Sequence, residues 1–78
     1  MMSNKEMNVF AKYVYSFYGF GGCYDMGVPI EIIKQAIRFL QSKDGRKYRN
    51  GISVCGDSID REHIREILEK EYKYRELA

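Results

Sequence analysis

The sequence predicts a mainly α fold, a compact three-helix domain, and three observations carry that expectation. Apolar residues recur at helical spacing in three separate segments, glycines cluster between those segments, and 78 residues leave room for one domain only. An apolar content of 45% beside 31% charged residues is the balance of a chain that folds. Residues 1–78 are therefore read as a single helical domain. A chain of this length buries roughly 60–65% of its unfolded surface, so oligomerisation or dense packing is the expected support.

The first helix is expected from about Asn4 to Tyr18. Met7, Phe10, Ala11, Val14 and Tyr18 fall on one helical face, and Tyr15 and Phe17 widen it on either side. Val, Tyr and Phe also favour strands, but the 3.6-residue repeat fits better. Gly19 is expected to end the helix in the left-handed conformation. The second helix opens near Pro29, which suits a first turn, with Glu31 complementing the helix dipole. Ile30, Ile33, Ala36, Ile37 and Leu40 form its stripe, and Asp44-Gly45 closes the segment.

The third helix is expected after Gly56, with Ser58 as N-cap and Asp57 as rival, and with Asp60 and Glu62 in the first turn. Ile64, Ile67 and Leu68 make a narrow stripe. Glu66/Lys70, Glu69/Lys73 and Glu71/Arg75 are acid-first pairs four residues apart, so the helix is predicted to continue past the core as a largely solvated rod. The loop before it contains Asn50-Gly51, a hairpin-turn dipeptide. A short ribbon pairing Lys47–Arg49 with Ile52–Val54 is the alternative to an irregular loop there.

Composition narrows the function classes. The formal net charge of +2 is too mild to announce a nucleic-acid binder by itself. No apolar run is long enough to span a bilayer, and Met1-Met2-Ser3-Asn4-Lys5-Glu6 is unlike a secretory signal, so a cytoplasmic location with no membrane partner is expected. Cys23 and Cys55 are then expected as reduced, partly buried thiols.

The chemistry-bearing residues are sparse. Gly19-Phe20-Gly21-Gly22-Cys23-Tyr24 matches neither the dinucleotide nor the phosphate-loop pattern, and reads as a connector that lets Phe20 and Tyr24 tuck under the helices. Cys23, Cys55 and His63 offer no closely spaced ligand pair, so no metal or cofactor is expected, and His63 reads as a surface residue. A Cys55/His63 nucleophilic pair lacks the further groups that orient a base and stabilise an oxyanion, so the chain is expected not to be an enzyme. Asp57, Asp60 and Glu62 are accounted for by helix capping.

Two surfaces remain. Lys43, Arg46, Lys47 and Arg49 against Asp44 alone give residues 43–56 a charge of +3, and with Tyr48 among them they suit phosphate contact and base stacking. Seven tyrosines and four phenylalanines exceed what one core face per helix requires, and Val9, Tyr13, Ile32 and Phe39 point away from the main stripes. Such a surplus either widens the core or forms a contact surface.

The segments Phe17-Tyr18-Gly19-Phe20-Gly21-Gly22-Cys23-Tyr24-Asp25-Met26-Gly27 and Gly56-Asp57-Ser58-Ile59-Asp60-Arg61-Glu62-His63-Ile64-Arg65 together resemble small bacteriophage-encoded proteins of uncharacterised function. That resemblance implies a phage accessory protein acting in a bacterial cytoplasm on host factors, and it carries over no catalytic or binding residues. The leading expectation is a non-enzymatic protein-interaction module, binding a host protein or itself through Tyr13, Tyr15, Phe20, Tyr24 and Phe39. Nucleic-acid binding through Lys43, Arg46, Lys47, Tyr48 and Arg49 is the alternative.

Overall fold

A computed structural model describes residues 3–49 and 61–76. Within them the chain forms four helices, α1 (Asn4–Tyr18), α2 (Ile30–Gln41), α3 (Arg46–Arg49) and α4 (Arg61–Lys70), and no strand. The mainly α class is as the periodicity predicts. The fourth helix is an addition to the expected three, a single turn inside the basic loop. It also removes the ribbon alternative, because residues 47–49 are helical; Ile52–Val54 lie outside the described residues.

Helix α1 starts on a capping box. The Ser3 hydroxyl accepts the Glu6 amide at 3.1 Å, and the Glu6 carboxylate accepts the Ser3 amide in return, satisfying two otherwise orphaned donors. Met7, Ala11, Val14 and Tyr18 are its buried residues, one per turn on one face. At the other end Gly19 is extended (φ −75°, ψ 176°), not left-handed as expected. Its requirement is steric, since a β-carbon there would collide with the Tyr15 ring, with Cζ at 2.5 Å. The left-handed residues come later in the loop, at Gly21, Asp25 and Gly27.

Helix α2 is the centre of the domain. It packs against α1, α3 and α4, and its residues Ile33, Ala36, Ile37 and Leu40 are buried. Pro29 stands as N-cap, and Ser42 closes the helix by donating its hydroxyl to the Phe39 carbonyl at 2.6 Å. The chain then turns tightly enough that Gly45 lies against the α2 backbone. A β-carbon at Gly45 would strike the Phe39 carbonyl oxygen and stand 2.8 Å from the Leu40 α-carbon, so this position excludes every side chain.

Helix α4 adds Ile64, Ile67 and Leu68 to the core, all fully buried. It stops at Lys70, shorter than expected. Lys73 takes a positive φ of 62° and the Tyr74 amide bonds back to the Leu68 carbonyl, so Tyr72 and Tyr74 pack half-buried against the core. Two of the three expected acid-first pairs, Glu69/Lys73 and Glu71/Arg75, lose their helical geometry there. Glu66–Lys70 forms at 2.8 Å, and Arg65 lies between Glu62 and Glu69 at 3.7 and 3.6 Å. The expected caps Asp57 and Ser58 lie outside the described residues.

Candidate protein-contact face

The side of α1 facing away from the core carries Lys5, Val9, Lys12, Tyr13 and Ser16. Val9 and Tyr13 each lie two residues from a core position, a rotation of about 200°, so neither can contribute to the core. They are 65% and 57% exposed. Tyr13 is nevertheless held in place: its ring centroid is 5.1 Å from Phe17 in an edge-on contact and 6.0 Å from Phe10. Phe10 and Phe17 are themselves half-buried against the core. An exposed ring braced in this way loses little freedom when a partner covers it. Phe20, in the turn that follows α1, is 83% exposed.

Charge on this side of α1 is mixed, with Lys5 and Lys12 beside Glu6. Lys5 and Lys12 are exposed and form no ion pair among the described residues, whereas the Glu6 carboxylate is turned back onto the Ser3 amide. Asp25, Glu31, Glu62, Glu66, Glu69 and Glu71 have partners within the fold.

The remaining aromatic candidates are used internally. Tyr24 stacks on Tyr18, with centroids 5.0 Å apart and planes 14° from parallel, donates its hydroxyl to Glu62 at 3.0 Å, and has the Arg65 guanidinium 5.4 Å from its ring centre. It pins the glycine loop to α4, assisted by the Tyr24 amide bonding to the Phe17 carbonyl and the Gly21 amide bonding to the Asp25 carboxylate. Tyr15 packs half-buried against the core, over Gly19. Phe39 does so beside Tyr48, 6.0 Å away. The loop therefore tucks in Tyr24 and leaves Phe20 out, where both were expected to tuck.

The basic loop is also reassigned in part. Tyr48, expected to be free for base stacking, is only 7% exposed, and its hydroxyl donates to Glu71 at 2.7 Å. Burial, then the Glu71 hydrogen bond, pushes the Tyr48 phenol up to about 12. The same hydrogen bond, joined by Lys47, holds the Glu71 carboxyl below the usual glutamate range against an opposing desolvation. Lys47 sits 3.5 Å from Glu71 and 5.2 Å from the centre of the Tyr48 ring. Lys43 and Arg46 are exposed and unpaired among the described residues; the Arg49 side chain lies outside them.

Compared with known proteins, the chain matches no family model, no curated protein and no solved structure.

Among the chemistry-bearing side chains, Cys23 is exposed rather than partly buried, and His63 is half-buried, its Nδ1 enclosed with no partner among the described residues, rather than a surface residue. Cys55, which the nucleophile reading needs, lies outside the described residues. Among the described residues no group of three His, Cys, Asp or Glu side chains is placed to hold a metal ion, and no helix is long and apolar enough to cross a membrane.

Tyr13 and Phe20 stand out in the sequence by their surplus over the core stripe. Val9 points outward, outside the expected contact set, although its position relative to Tyr13, four residues on, is signal enough. Lys5 and Lys12 gave no signal by composition, because it is their lack of partners that distinguishes them.

Proposed function

We propose that the chain is a non-enzymatic protein-interaction module that uses the outer side of α1. What carries this reading is the exposed pair Val9 and Tyr13, diametrically opposite the buried stripe, with Tyr13 braced between two half-buried rings. Tyrosine at a braced, solvent-facing position combines large contact area with a low ordering cost, the character of interface anchors. With aromatic side chains of about 150–250 Å² each, the exposed parts of Val9, Tyr13 and Phe20 amount to on the order of 300–400 Å². This is about half of the roughly 800 Å² each partner contributes to a standard interface.

A phage accessory role with a bacterial host protein as partner is the form of this proposal that the resemblance of residues 17–27 and 56–65 favours. The test is capture from bacterial lysate by the wild-type chain and by a Tyr13→Ser/Phe20→Ser variant, with light scattering on both. A protein retained by the wild type and lost by the variant supports the proposal. Equal capture by both removes the aromatic side chains from the contact.

A second reading, nucleic-acid binding at residues 43–49, keeps the exposed Lys43 and Arg46. It is weakened by the burial of Tyr48 and by the pairing of Lys47 with Glu71. It predicts oligonucleotide affinity that falls steeply with salt. Lys43→Ala/Arg46→Ala should abolish that affinity without changing protein capture.

A further inference from the structure

We draw no further inference here: the strongest candidate, the outer face of α1 bearing Val9 and Tyr13, carries charges of both signs in Lys5, Lys12 and Glu6, and nothing in the structure shows what covers it.

Discussion

Two tyrosines, Tyr24 and Tyr48, make nearly the same contact in different surroundings. Each comes from the stretch between two of the longer helices, each donates its hydroxyl to a glutamate of the C-terminal part of the chain, and each has a cation over or beside its ring. Tyr24 reaches Glu62 at the start of α4 and Tyr48 reaches Glu71 just past its end, so α4 is fastened at both ends. The surroundings differ. The Tyr24 bond lies exposed on a half-buried ring, whereas Tyr48 is almost wholly enclosed, between Phe39 and the end of α4. The enclosed clamp raises the Tyr48 phenol and lowers the Glu71 carboxyl. A hydrogen bond to a charged group gains weight as water is excluded, so the same chemistry should be worth more at Tyr48.

The sharpest way to break this comparison is to remove each ring. Tyr48→Ala should cost about 3–5 kcal/mol, as for other large buried rings. The folded state at this length is held by on the order of 4–12 kcal/mol, so a large fall in the urea midpoint is expected. Tyr24→Ala should cost about 1–2 kcal/mol and leave a cooperative transition; equal losses would show that burial does not set the difference.

Gly45→Ala probes the turn that delivers Tyr48. Its new β-carbon meets the α2 backbone, and a loss of about 1–3 kcal/mol is expected in the same titration.

Removing the hydroxyls alone isolates the hydrogen bonds. Tyr48→Phe should cost about 1 kcal/mol and Tyr24→Phe less than about 0.5 kcal/mol.

The pH dependence separates the clamps further. Glu71 has a lowered carboxyl pKa in the fold, so its contribution is present above the ordinary glutamate range and is lost as pH falls through the folded value. Tyr48 has a raised pKa, so its contribution is complete below the ordinary phenol value of 10.0 and is lost as pH rises toward about 12. Both dependences should shrink in Tyr48→Phe, and phenolate absorbance should lose the latest-titrating tyrosine while Tyr72, also raised by burial, stays.

Smallest of all should be the effect on stability of Tyr13→Ala, within about 0.5 kcal/mol, because its side chain faces solvent. A larger loss would mean that its contacts with Phe10 and Phe17 support the fold rather than only orienting the ring.

The helices that depend on their own periodicity were legible in advance. Met7, Ala11, Val14 and Tyr18, and likewise Ile33, Ala36, Ile37 and Leu40, announce their burial by spacing alone. Tyr48 could not, since it stands isolated in a cationic loop and its partner Glu71 is 23 residues away. At Gly19 the backbone is extended and a β-carbon would meet the Tyr15 ring, a close approach that sequence spacing does not distinguish from a left-handed cap. The end of α4 was misjudged because Lys73, a residue with no turn preference, takes the left-handed conformation that sequence reading assigns to glycine or asparagine. For the candidate face, Tyr13 and Phe20 followed from surplus. Tyr24 and Phe39 were lost to it because each finds a partner on another element.

The central place of α2 bears on how the chain acquires its structure. α1 and α3 flank it in sequence and dock on it in space, so their contacts form by closing short connections, and only α4 must return across a longer one. Loop closure grows costlier only slowly with length, and helical domains rich in local contacts fold on the order of microseconds to milliseconds. The two tyrosine clamps join the last helix to the rest, so they belong to the closing step of assembly. Their weakening should therefore appear mainly as faster unfolding, with the rate of folding little changed.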